Sequence, residues 1–106
     1  MKSGLDRVKD WSALARRAGF RPAAMAARCG VSLRQLERYF AFRFGVSPRC
    51  WTRDFRCRLA RDYISRGWSD KAVVVELGFA DTAHLCHEFK RLYRSSPQTF
   101  APRQFG

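Results

Sequence analysis

An all-α fold is predicted by three features of the chain: apolar residues recurring at helical spacing, glycines and prolines that punctuate those runs, and a repeat of one small unit. The repeat is carried by Gly30, Leu36, Phe40, Ser47, Pro48 and Trp51, answered by Gly78, Leu85, Phe89, Ser96, Pro97 and Phe100. The glycines are 48 residues apart, whereas Leu36/Leu85, Phe40/Phe89 and Pro48/Pro97 are 49 apart, so the second copy has one extra residue in its turn. A unit this short cannot bury a core alone and must share a support.

The elements follow in order. Leu5, Val8, Trp11, Leu14, Ala15 and Ala18 trace a first helix that Gly19 ends. Pro22 suits the first turn of a second, which runs through Cys29 to Gly30. Ser32 with Gln35 three residues on makes a capping box for a third, with Leu33, Leu36, Phe40 and Phe44 as its expected buried stripe and Gly45 as its stop. Pro48 opens the longest run, with Trp51, Phe55, Leu59, Tyr63 and Ile64 as its stripe until Gly67. Asp70 is expected to cap a helix to Leu77, Asp81 another to Tyr93, and Pro97 to Gln104 a last one. The count is about seven helices and no strand.

With 106 residues and 46% hydrophobic content the chain is the size of one ordinary domain or two small lobes. Its 21 Lys and Arg against 9 Asp and Glu give a formal charge of +12, which favours a polyanionic partner, nucleic acid ahead of a membrane surface. No apolar run is long enough to span a bilayer and Met1 to Asp10 lacks a signal-peptide core, so the cytoplasm is the default location. Cys29, Cys50, Cys57 and Cys86 form no CxxC pair and are expected as reduced, mostly buried thiols. His84, Cys86 and His87 are close in sequence, but Cys86 leaves a helix in a different direction from the histidines and no fourth ligand is near, so no metal or other cofactor is expected.

A short helix, a glycine turn and a longer helix make a helix-turn-helix, whose second helix enters the major groove. The chain has two. They divide it into a first subdomain over 1–47, a linker helix over 48–67 and a second subdomain over 68–106. The linker, at 1.5 Å per residue, is roughly 30 Å long, close to the ~34 Å between successive major-groove segments on one side of B-DNA. Ala26 suits the crossing of the first pair, where the second has Val74.

Residues rotated away from Leu36 and Phe40 are Arg34, Glu37 and Arg38. The two arginines could each fork onto a guanine edge; Glu37 could accept from a cytosine amino group or hold an arginine in place. A solvated face with an Arg34 to Glu37 pair is the plainer alternative. The matching set in the second copy, Thr82, Ala83, Cys86 and His87, has no arginine, so base readout should be lopsided. Phosphates would be met by the helix ends at Ser32 and Thr82 and by Arg43, Arg49, Lys90, Arg91 and Arg94. Arg49, Arg53, Arg56, Arg58, Arg61 and Arg66 of the linker are ambiguous, because Asp54 to Arg58, Arg58 to Asp62 and Asp62 to Arg66 are all i,i+4 pairs.

The paired units, the long helix between them, the run Gly78-Phe79-Ala80-Asp81-Thr82-Ala83-His84-Leu85-Cys86-His87-Glu88-Phe89-Lys90 and the later Ser96-Pro97-Gln98-Thr99-Phe100 resemble the AraC/XylS transcription regulators over Leu5 to Gln104. The resemblance implies two recognition helices entering adjacent major grooves of double-stranded DNA. It also implies base reading from the positions of Arg34, Glu37, Arg38, Thr82, Ala83 and His87, with RNA polymerase as a further partner and activation as the habitual outcome. Family members usually carry a separate sensing or dimerising domain for a small-molecule effector, and nothing in this chain resembles one. Arg94 departs from the family, which usually has glycine there, so a helix end must accept a left-handed or looser conformation. Val74 departs from the usual small residue.

Three other readings compete. A nonspecific DNA-coating protein needs only the charge, and an interaction adaptor needs only the fold. An enzyme using Cys86 with His84 or His87 lacks an oxyanion donor and an orienting carboxylate, and no catalytic activity is expected.

Overall fold

The computed structural model describes residues 4–102, which form six α-helices and two short 3₁₀ helices: Gly4–Arg7 (3₁₀), α1 Trp11–Arg17, α2 Pro22–Arg28, α3 Leu33–Phe44, α4 Pro48–Ser65, α5 Asp70–Leu77, α6 Thr82–Tyr93 and Pro97–Phe100 (3₁₀). The all-helical reading stands, with two of the expected helices reshaped. The first is split because the side chain of Asp10 accepts from the Ala13 amide at 3.0 Å and restarts the chain as α1. The last is a single 3₁₀ turn, and Gln104 lies outside the described residues. Asp70 is not the cap of α5; Ser69 is, its hydroxyl oxygen accepting from the Ala72 amide at 3.1 Å, which leaves Asp70 in the first turn, where its charge favours the helix dipole.

The chain divides into two compact units between Phe55 and Arg56, inside α4. In the first unit Leu5, Ala15, Ala18, Met25, Ala26, Leu36 and Phe40 are buried. Phe40 is the hub, with the rings of Trp11, Phe44 and Trp51 at 4.8, 4.9 and 5.7 Å from its own. The Ser32–Gln35 capping box forms with both reciprocal bonds, at 3.1 and 2.8 Å. Leu33, expected in the buried stripe, stays 40% exposed. It lies at the first helical position, ahead of the turn that Leu36 anchors. Phe20 follows Gly19 at φ 61°, a left-handed conformation that costs a side-chain-bearing residue about 1–2 kcal/mol. Its ring reaches Phe55 at 5.9 Å, which offsets part of that cost.

In the second unit Cys57, Ala60 and Ile64 of α4 are buried along with Val73, Leu77, Phe79, Leu85 and Phe89. Of the stripe expected along α4, Ile64 is buried and Trp51, Phe55, Leu59 and Tyr63 are half-buried; Cys57 and Ala60, outside that stripe, are buried as well. Thr52 is also buried, its hydroxyl donating to the carbonyls of Pro48 and Arg49. Val74, at the position of the fully buried Ala26, is only half-buried. Cys50 is exposed, against the expectation for the thiols, whereas Cys57 is buried and Cys29 and Cys86 are intermediate. Burial raises the Cys29 thiol above its ordinary value.

Both longer recognition-type helices end in the left-handed region, α3 at Gly45 with φ 72° and α6 at Arg94 with φ 56°. Glycine carries no Cβ to resist that conformation; arginine does. Arg94→Gly should raise stability by about 1 kcal/mol, seen in thermal unfolding as a midpoint roughly 4–8 °C higher. An unchanged or lower midpoint would count against strain at this cap.

Candidate nucleic-acid interface

In each unit a short helix, a turn with a left-handed glycine and a twelve-residue helix stand in the expected order: α2, Gly30 and α3, then α5, Gly78 and α6. The turns are built alike. The Val31 amide donates to the Ala26 carbonyl at 3.0 Å, and the Phe79 amide donates to the Val74 carbonyl at 3.1 Å.

On α3, burial of Leu36 and Phe40 leaves Arg34, Glu37 and Arg38 exposed. At 100° per residue Arg34 and Arg38 point opposite the buried stripe, one turn apart, while Glu37 lies on a flank. Among the described residues no ion pair or hydrogen bond holds any of these three side chains, so the Arg34 to Glu37 pair is not formed. Glu37 instead lines a cavity of about 430 Å³ with Arg49, Arg21, Pro22 and Leu33. The structure thus brings Glu37 and Arg49 together and leaves Arg34 and Arg38 outside that cavity. Ser32 is exposed at the start of α3, and Arg43 is exposed near its end with its guanidinium 5.4 Å from the Phe44 ring centre. Phe42, which the sequence reading passed over, is 88% exposed one turn beyond Arg38. Its spacing from Arg34 and Arg38 was the available signal.

On α6, Leu85 and Phe89 are buried and Thr82, Ala83, His87, Lys90 and Arg94 are exposed. Asp81 caps the helix, accepting from the His84 amide at 2.7 Å. His84 itself is a brace: its Nδ1 accepts from the Ala80 amide at 3.1 Å, and its Nε2 lies 3.8 Å from Glu88. Arg91, expected at a phosphate, donates from Nε to the buried Glu88 carboxylate at 2.8 Å.

Glu88 is the residue the sequence reading did not weigh. It is 6% exposed and gathers positive charge around it. Arg56 of α4 is part of the same cluster: Nη1 donates to the Gly78 carbonyl at 3.3 Å, and the guanidinium sits 4.6 Å from the centre of the Phe79 ring. Burial lowers the Arg56 pKa, an effect that the nearby Glu88 carboxylate opposes. The turn of the second unit and its long helix are thereby tied to α4 through one carboxylate and its cations. Other linker arginines are also engaged, Arg61 over the rings of Tyr93 and Phe100 at 5.1 and 4.7 Å and Arg66 with Asp62 at 3.0 Å.

Two exposed helices of this kind, each held over its own buried stripe, define a helix-turn-helix DNA-binding domain. Comparison with known proteins places it further. A family model described as a helix-turn-helix domain matches residues 25–103. The HTH-type transcriptional regulator RipA of Corynebacterium glutamicum is 34% identical over 77 residues, 73% of this chain and 23% of that protein. This chain therefore spans about a quarter of that relative. A crystal structure of a transcriptional regulator from Chromobacterium violaceum, described as AraC-type DNA-binding domain-containing, has a TM-score of 0.73 at 23% identity, covering 83% of this chain and 82% of that one. The chain belongs to the AraC-type helix-turn-helix family. That family is one of DNA-binding transcription regulators, not a class of enzymes. Among the described residues no helix is long and apolar enough to cross a membrane.

Removing the Glu88 carboxylate should leave the half-buried Arg56 guanidinium without its countercharge. Glu88→Ala is expected to cost about 3 kcal/mol, read from the urea midpoint with unchanged slope. A loss under about 0.5 kcal/mol would mean that the cluster holds nothing in place.

Proposed function

We propose that the chain binds double-stranded DNA sequence-specifically as part of a transcription regulator. In this reading α3 takes bases through Arg34 and Arg38, and α6 makes weaker base contacts through Thr82, Ala83 and His87. The observation that carries it is the state of Arg34 and Arg38: exposed, a turn apart, opposite the buried stripe and, among the described residues, without a side-chain partner. Such a pair offers two guanidinium forks to guanine edges. Glu37, beside Arg49 and Arg21, is assigned to hold an arginine or accept from a cytosine amino group. Phe42 is suited to a thymine methyl.

Phosphate contacts fall to the exposed amino ends at Ser32 and Thr82 and to Arg43, Arg49, Lys90 and Arg94. Arg91 contributes through whatever reach its bond to Glu88 leaves. The division into 1–47, 48–67 and 68–106 becomes a proposal about function: each helix-turn-helix meets its own major-groove segment, and α4, unbroken from Pro48 to Ser65, connects them. Recruitment of RNA polymerase, activation and residence at the bacterial nucleoid follow from the family habit. A DNA-coating role is the second reading, favoured by the +12 charge.

Selection from a random duplex pool tests the choice. Specific binding should return an asymmetric site of about two helical turns, with one half better defined. On that site Arg34→Ala and Arg38→Ala should each cost about 1–3 kcal/mol and relax one base position. Lys90→Ala and Arg94→Ala should weaken all sequences alike, and for roughly eight neutralised phosphates the slope of log K against log salt should be near −7. Equal affinity for selected and random duplexes would favour coating instead.

A further inference from the structure

The first unit has a second concentration of positive charge, distinct from the exposed arginines of α3. A cavity of about 520 Å³ is lined by Arg7, Lys9, Arg17 and Arg28, with Asp10, Cys29 and apolar residues of α1. The four cations come from four places: the first 3₁₀ turn, the segment after it, the last turn of α1 and the last turn of α2. All are exposed, and among the described residues none is held by an ion pair or side-chain hydrogen bond. Asp10 brings the cavity's one carboxylate, and that group is bonded to the Ala13 amide as the cap of α1.

Four like charges around one cavity repel one another unless an anion joins them. The core of the unit does not need them there, since none is buried. Nor does the fold require a cation at the end of α2: the second unit has Glu76 at the position equivalent to Arg28. We propose that this cavity is an additional phosphate site, taking backbone phosphates of the duplex beyond the segment that α3 reads.

The proposal rests on the DNA-binding reading above. Two observations favour a polymeric phosphate over a free one. The cations are spread over separate elements rather than converging from one loop, which suits a chain of charges more than a single group. Arg28 also closes α2 just before the turn that leads to Ser32, whose helix end is already assigned to phosphate, so one strand could continue from one to the other.

The test compares duplexes of two lengths, both centred on the selected site: roughly 20 base pairs, about two turns, and roughly 40. The wild-type chain should bind the longer one more tightly, and the double variant Arg17→Glu with Arg28→Glu should lose that gain. On the longer duplex the expected loss is about tenfold, with a salt slope shallower by about two. On the shorter duplex its affinity should stay within about twofold of wild type.

The milder pair Arg17→Gln with Arg28→Gln should show the same pattern at smaller size and guards against misfolding of the charge reversal. No gain from flanking DNA in the wild type overturns the proposal. So does an equal loss on both lengths. Titration of inorganic pyrophosphate, followed at the Ala13 amide by NMR, addresses the other source: saturable binding lost in the double variant, with no dependence on duplex length, would assign the cavity to small phosphorylated compounds and overturn the DNA assignment. Failure of sequence specificity appears separately, as equal affinity for selected and random duplexes of one length.

Discussion

Burial of Leu36 and Phe40 on one side of α3 is the constraint from which the first unit's surface follows. Phe40 and Phe44 of α3 pack on Trp11 of α1 and Trp51 of α4, so α3 cannot rotate without breaking several aromatic contacts at once. A close-packed interior resists such small rotations strongly. Once the inner side is fixed, the 100° step leaves Arg34 and Arg38 no direction but outward. A surface suited to base edges is thus a by-product of aromatic packing beneath it.

The second copy meets the same requirement with different chemistry. Leu85 and Phe89 repeat the buried pair, but Glu88 stands where the first copy has Tyr39, and Arg91 where it has Phe42. Tyr39 donates its hydroxyl to Asp6 at 3.0 Å and leans on Trp11, a half-buried arrangement at the margin of an aromatic core. Burial and that hydrogen bond both push its phenol pKa up. Glu88 instead holds a knot of charge with Arg91, His84 and Arg56 nearby. Both arrangements hold their helix in place, but a buried carboxylate is costly unless its partners stay paired with it. The strained cap at Arg94 ends the same helix, so α6 carries more local constraint than α3 and fewer side chains able to discriminate bases.

The fold was largely legible in the sequence because its signals are local. Capping pairs such as Ser32 with Gln35, left-handed glycines and four-residue spacing of aromatics each act within one turn of helix. What escaped was either a choice between adjacent caps, Ser69 over Asp70, or a matter of which residues meet across the chain. The stripe read along α4 assumed one continuous apolar side. Burial passes instead from Trp51 and Phe55 in the first unit to Cys57, Ala60 and Ile64 in the second, and no single period describes both. The Arg56–Gly78 contact spans 22 residues and could not be found from spacing at all. For the candidate interface, the exposed set on α3 was legible because its opposite, the core, was; Phe42 shares that spacing but is aromatic, and Glu88 was missed because a buried charge does not follow from periodicity.

The charge distribution changes what the +12 total means for binding. Arg56 is held by the turn carbonyl and a ring, Arg61 by two rings, Arg66 by Asp62 and Arg91 by Glu88. These cations organise the second unit and contribute less to phosphate neutralisation than their number suggests. Counterion release depends on the cations that reach phosphates rather than on composition. Those without such ties among the described residues include Arg34, Arg38 and Arg49 in the first unit, joined there by the four that line its basic cavity. The electrostatic pull on a polyanion is therefore concentrated in the half of the molecule that also carries the guanidinium pair best suited to base edges. In the proposed reading, attraction and discrimination both lean on the first unit, while in the second Arg56, Arg61, Arg66 and Arg91 hold helices in place and Lys90 and Arg94 are left for phosphate.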